Sequence, residues 1–423
     1  MRLIQSSASQ GLWYHQLFEV DSVVGLTLGQ SIGPAGKATA ALASAHLNHE
    51  RHNYLGSILV GFLAFLVGVP AVAQNGSAVF SSLASEADAA RVANDLPRAI
   101  QLYGQALQMN PEWKQGWWYL GLLEYQADSY SAARDALTHY INLDPNTGPA
   151  YALRGLCEFE TGEYGSSLQD IERGLSLGAA NQLRNEQILR YHEALLLARS
   201  GRFQDALGAY AWFARKGITS PELMEQIGLA GLRTATLPTD AADKQKSLVM
   251  AAGHAAFQYM AGQESEANAS FHELFQQFPT AANAHLLYGY LLFQQSPAEA
   301  TDEFKRELEV APSSSAARVM LAWAYLMQSD PSTALPYAER AEQEEPSLPA
   351  AQLVLGRSLV QTGKVNDGTH YLEKARQLDP GNPEVHIALA EAYSETGRKE
   401  DARRERLESL RLTNASAPPL ATP

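Results

Sequence analysis

Residues 114–147 read KQGWWYLGLLEYQADSYSAARDALTHYINLDPNT, and this stretch decides the fold. Gly121 and Ala133 are small where two antiparallel helices, joined by a short turn, must approach closely. Trp117, Leu120, Leu137 and Tyr140 are large, and fill the space between one such hairpin and the next. Pro145, after Asp144, ends the second helix, because proline disfavours helical backbone at the residue before it.

The same spacing recurs along the chain. Prolines fall at Pro111 and Pro145 and again at Pro312, Pro346 and Pro380, in steps of 34 residues. A track of small residues keeps that step: Ala99, Ala133 and Ser167, then Ala300, Ala334, Gly368 and Ala402. A third track runs Ala87, Gly121 and Gly155, then Ala322, Gly356 and Ala390. Gly162, Gly201, Gly363 and Gly397 stand where the two helices of a hairpin turn. A fixed period shared by three tracks is the signature of a repeat array.

With Trp117-Trp118-Tyr119-Leu120-Gly121, Ala133 and Pro145 in place, and Leu355-Gly356, Ala375 and Pro380 behind them, the chain resembles the tetratricopeptide repeat family. The resemblance implies an all-α solenoid of about eight to nine antiparallel helix-turn-helix repeats in a right-handed superhelix, with an irregular joint in its middle. Counted in this frame, repeats fall at 80–113, 114–147, 148–181, 187–220, 248–281, 281–314, 315–348, 349–382 and 383–416, the fourth to sixth being degenerate. The expected organisation is an N-terminal array over 74–220, a joint over 221–247 and a C-terminal array with a capping helix over 248–412. Within the joint, Pro221 to Leu232 fits one helix, while Arg233–Asp243 carries Pro238 and Thr-Asp turn chemistry. Residues 413–423, ending in NASAPPLATP from Asn414, read as a disordered tail.

Composition agrees with a helical array. The 423 residues are 46% apolar; Ala, Leu, Gln and Glu dominate, and Val and Ile are sparse beyond residue 75. Thirty-two Lys and Arg against 46 Asp and Glu give a net charge of −14, which argues against a nucleic-acid partner. Arg403, Arg404 and Arg406 alternate with Glu405 and Glu408 and read as a solvated helix face. The single cysteine, Cys157, sits among Leu153, Leu156 and Phe159 and reads as a buried small hydrophobe.

The one long apolar stretch, YLGSILVGFLAFLVGVPAVA from Tyr54 to Ala73, follows Arg51 and ends in Ala71-Val72-Ala73. A basic start, an apolar centre and a small-x-small end make 51–73 a signal peptide cleaved after Ala73. The alternative is an uncleaved anchor in the cytoplasmic membrane with the repeats outside; Gly56, Gly61, Gly68 and Pro70 weaken a spanning helix. Residues 1–50 carry no periodicity, so the expectation is an extension preceding a true start near Leu47, with the mature chain periplasmic or secreted.

No motif carries catalysis. Gly33-Pro34-Ala35-Gly36-Lys37-Ala38 resembles a phosphate loop but has Ser31 where the first glycine belongs and Ala38 where the hydroxyl belongs. His46, His49 and His52 share a helix face but flank the export segment, and His272-Glu273 is followed by Gln276 instead of a second histidine. No cofactor or metal is expected, and the chain is read as no enzyme.

What the resemblance implies instead is a groove lined by the first helix of each repeat. Its candidates are Trp118, Leu122 and Tyr125, then Leu156 and Phe159, then Trp323, Leu326 and Met327, with packing between repeats as the competing role. Chaperone-binding members of the family clamp a chain-terminal carboxylate with Lys, Asn and Arg; the matching places here read Ala84, Asp88, Tyr119, Pro149 and Leu153, so no such clamp is expected in the first three repeats. The expected partner is one or more proteins or peptides, apolar or basic because the chain is acidic. The expected role is that of a scaffold or adaptor outside the cytoplasmic membrane; the alternative is a structural subunit of an envelope secretion, pilus or polysaccharide-export assembly.

Overall fold

The computed structural model describes residues 71–181, 183–235 and 243–416. Residues 1–70, with the phosphate-loop resemblance, the three histidines and most of the export segment, lie outside the described residues, as do Pro238 of the expected joint and the tail beyond Ser416. Among the described residues no helix is long and apolar enough to cross a membrane.

Nineteen helices are described and no strand. They are α1 Ala71–Val92, α2 Leu96–Met109, α3 Lys114–Gln126, α4 Tyr130–Leu143, α5 Gly148–Glu160, α6 Tyr164–Ser176, α7 Leu183–Arg199 and α8 Phe203–Arg215. After α9 Pro221–Gly231 follow α10 Asp243–Met260, α11 Glu264–Gln277, α12 Ala284–Leu292, α13 Pro297–Val310 and α14 Ser315–Met327. The last are α15 Pro331–Glu344, α16 Pro349–Gln361, α17 Val365–Leu378, α18 Pro383–Glu395 and α19 Lys399–Ser416. By contacts the chain divides into two units, Met1–Glu163 with Ala180–Asn185 and Tyr164–Ala179 with Glu186–Pro423, so the expected joint lies inside the second.

The local reasons for these elements are visible at their ends. Asp95, Ser220, Ser314, Asp330 and Asn382 cap their helices by accepting backbone N–H groups with their side chains. The turn glycines at 162, 201, 363 and 397 have φ between 76° and 85°, a left-handed backbone that only glycine adopts freely.

The small-residue tracks do what their size requires. A Cβ at Gly121 would lie 2.8 Å from Leu137 Cγ; one at Gly356 would lie 2.9 Å from the Gly368 carbonyl. Helix α3 therefore rests on α4, and α16 on α17, at backbone distance. Around these crossings Tyr103 and Leu137 fill the core of the first unit; Phe271, Phe304, Leu321, Leu372 and Tyr393 fill that of the second.

The inter-repeat prolines have a second role. Trp117 Nε1 donates to the Pro111 carbonyl at 2.7 Å, Gln352 Nε2 to that of Pro346 at 2.7 Å, and His386 Nε2 to that of Pro380 at 3.0 Å; Arg318 reaches Pro312 in the same way. Each donor stands six residues after its proline, so in these four connections a side chain ties the loop to the next helix. Arg318 and His386 also meet carboxylates, Glu344 at 2.6 Å and Glu405 at 2.6 Å.

The 34-residue period breaks at α9. This extra helix is buried along most of its length and crosses α10 backbone to backbone: a Cβ on Gly228 would stand 1.9 Å from the Val249 carbonyl oxygen. The stretch Pro221–Gly231 is thus packed helix, not loop.

Candidate functional site

Within the second unit, α8, α9, α12 and α14 meet around a narrow crevice of about 30 Å³, room for a water molecule and not for a side chain. Helix α8 contributes Phe203 and Leu207, one turn apart; α12 contributes Leu286, Leu287 and Tyr290; α14 contributes Ala316 and Met320. Spacings of three and four residues put each set on one helix face. The floor is apolar, with Leu207, Leu286 and Leu287 at most 5% exposed. Gln204 Nε2 donates to Met320 Sδ at 3.3 Å and joins α8 to α14.

One cation enters this apolar surface. Arg233 follows α9 in a left-handed conformation, φ 56°, with its backbone N–H on the Ala230 carbonyl. Its guanidinium lies over the Phe203 ring, 4.9 Å from the centroid. Burial pulls its pKa below the usual arginine range, and Glu345 opposes that effect through space. Among the described residues no carboxylate is ion-paired with it, whereas Arg202, Arg318, Arg376 and Arg398 in the same unit each hold one. Burial likewise raises the Tyr290 phenol, with Asp205 adding to the effect.

The sequence candidates divide by burial. Trp118, Tyr125, Leu156 and Leu326 are at most 9% exposed. Trp118 packs on Tyr140 and Tyr125 on Tyr130, with centroids 5.5 Å apart in both pairs. These four are packing residues and offer no groove surface. Leu122 and Phe159 are half-buried. Trp323 is half-buried against the cluster of Val319, Leu326, Val354 and Leu359, with Arg357 5.0 Å above its ring. Met327 is 62% exposed. Trp323 and Met327 follow Ala316 and Met320 at intervals of three and four residues, which continues the crevice face along α14.

Sequence reasoning did not find Arg233, Phe203 or Tyr290. The one available signal was a lone arginine immediately after an apolar helix. Cys157 is fully buried, and burial, then Glu158, pushes its thiol up to about 12, which removes the thiolate that nucleophilic chemistry needs.

The tetratricopeptide repeat family model matches residues 85–147, 294–349 and 366–418. A curated relative, the small glutamine-rich tetratricopeptide repeat-containing protein 2 of Mycosarcoma maydis, is 25% identical over 124 residues, 29% of this chain and 35% of that protein. The chain thus spans about a third of the curated relative it matches. Among solved structures, a MamA crystal structure is 18% identical over 38% of this chain and 94% of its own, with a TM-score of 0.34. YrrB, described as a TPR protein with an unusual peptide-binding site, is 18% identical over 40% of this chain and 90% of its own, with a TM-score of 0.33.

Proposed function

The chain is a tetratricopeptide repeat protein, and from that premise we propose that it is a non-catalytic scaffold or adaptor acting outside the cytoplasmic membrane. The family is generally non-catalytic and binds proteins and peptides. The observation that carries the reading is the family match, with Met327, 62% exposed, beside the half-buried Trp323 on α14 as the apolar surface available to a partner. Its test is capture of partners from cell-envelope fractions by the wild type, by Trp323→Ala and by Met327→Glu. Both variants are expected to recover less partner at unchanged helicity. Undiminished capture by both would overturn the α14 face as the contact surface. Loss of helicity in Trp323→Ala would reassign that residue to the core and leave the exposed Met327 to decide.

Export rests on the sequence of 51–73, with the uncleaved anchor as its alternative. Cleavage after Ala73 removes only the first three residues of α1 and spares Phe80, which meets Trp113 at 5.3 Å. Intact-mass analysis of the mature protein is expected to place its N-terminus at Gln74; a mature chain beginning at Met1 would falsify cleavage.

One observation favours the second reading, a structural subunit of an envelope assembly. Leu407 and Leu410, one turn apart on α19, are 58% and 59% exposed. Recovery of a single stoichiometric partner supports that reading; several sub-stoichiometric partners support the adaptor.

A further inference from the structure

Helix α19 closes the array, and its outer side is the one that earlier hairpins use to seat a successor. Glu373 and Arg376 stand 34 residues before Leu407 and Leu410. Both reach the following hairpin: Tyr393 Oη donates to Glu373 at 2.6 Å, and Arg376 pairs with Glu405. One repeat earlier, Glu342 holds the place of Arg376 and accepts from Gln352 Nε2 of the next hairpin at 3.3 Å. At the last hairpin these positions turn apolar. Leu407 and Leu410 are 58% and 59% exposed, on a terminal face that solenoids ordinarily make polar.

Charge is separated across the same hairpin. The exposed side of α18 carries Glu384, Glu391 and Glu395 around Ile387, itself 37% exposed, and α18 has no Lys or Arg. Spacings of three and four residues put these on one face. The exposed side of α19 sets Lys399, Arg403, Arg404, Arg406 and Arg411 about the two leucines, with Glu400 the one fully exposed acid among them. Arg406 donates to Ser394 Oγ at 2.7 Å, so the acidic and basic faces adjoin along one seam.

We propose that a second copy of this chain covers this face, the last hairpins of two molecules meeting about a two-fold axis with α18 of each laid on α19 of the other. A two-fold contact makes every pairing twice, so one patch that is acidic on one side and basic on the other complements itself. Leu407, Leu410 and Ile387 of both copies then form the apolar centre. Direct pairing of α19 with α19 would instead bring like charges together. A head-to-tail stack on α1 is disfavoured, because Glu86 stands there at the place that Leu120, Leu355 and Leu389 fill in later repeats. Helices of 13 and 18 residues give a face about 20 Å on a side, small for a specific pair, so the dimer is expected to dissociate in the micromolar range. The α14 surface takes no part in it, so self-association and partner capture are judged separately.

The experiment is sedimentation velocity on the full-length protein over about 1–100 μM. The wild type is expected to pass from one chain to two over that range and to stop at two. Leu407→Glu combined with Leu410→Glu is expected to weaken pairing at least about tenfold at unchanged helicity. Reversing α18 by Glu391→Lys with Glu395→Lys, or α19 by Arg403→Glu with Arg406→Glu, is expected to leave single chains, because both contacts then oppose like charges. Mixed in equal amounts, the two reversed proteins are expected to pair with each other, since each contact regains opposite charges. Failure of that mixture to pair would overturn the seating of α18 on α19. A wild type that stays a single chain at the highest concentration would overturn the proposal, and its co-sedimentation with phosphatidylglycerol vesicles would then give the face to an anionic membrane. Mass that climbs past two chains would overturn the two-fold arrangement in favour of an open stack. Pairing untouched by either reversal would overturn this face as the contact.

Discussion

A valine at Gly253 is expected to destabilise the second unit by about 3 kcal/mol or more, at the upper end of what overpacking a core costs. A Cβ at this position would fall 1.9 Å from the Met224 carbonyl oxygen and 3.0 Å from the Gly228 amide nitrogen. Those are backbone atoms of α9, so no rotamer change relieves the clash. The helices must separate, and Ile227, Val249, Ala252 and Ala256, all at most 1% exposed, lose contact when they do. Urea denaturation followed by circular dichroism measures the effect. Gly208→Ala on α8 is the control, since nothing lies within 4 Å of its Cβ. In a helix interior that change is expected to stabilise by about 0.5–1 kcal/mol. Equal midpoints for Gly253→Val and the wild type would show that α9 does not seat on α10 as described.

That crossing also marks where the sequence was legible and where it was not. Gly121, Ala133, Gly356 and Gly368 were readable because a backbone contact repeated every 34 residues leaves small residues at a fixed step. Gly228 and Gly253 make an even closer contact once only, and a single event has no period. The donors to four of the loop prolines repeat in position but not in type. Trp117, Arg318, Gln352 and His386 share only an N–H at the right reach, so their register is chemical and no residue track reveals it.

The site was legible only in part, for a related reason. The first helix of a hairpin packs on its own partner and on the preceding repeat, so apolar residues surround most of its circumference. Along Trp117-Trp118-Tyr119-Leu120 the pattern does not separate core from groove. The structure separates them: Trp118 is 8% exposed and Met327 62%. The crevice beside that face is lined by residues as far apart in sequence as Phe203 and Met320, and its cation comes from a connection outside the repeat.

The other large effect is expected at Glu307, and its size depends on pH. This carboxylate on α13 is fully buried; it accepts the backbone N–H of Asn283 at 2.7 Å and that of Leu286 at 3.2 Å, so it caps α12 from a neighbouring helix. Asn283 itself sits at φ 69° and makes no side-chain cap. Glu307→Ala strands both N–H groups and is expected to cost about 3 kcal/mol at neutral pH. Burial raises the Glu307 pKa above 4.5; the two backbone donors and His285 lower it and do not outweigh burial. A folded-state pKa above the unfolded one means that the native protein holds this proton more tightly. The contribution is therefore fully present below the unfolded value and fades as pH rises through the folded one. Glu307→Gln keeps one acceptor and cannot ionise, so its stability lacks this term. The wild type is expected to gain on Glu307→Gln as pH falls from 7 toward 4 in urea titrations. A difference that stays constant over that range, or shrinks on acidification, would mean that the two N–H groups outweigh the burial of the charge.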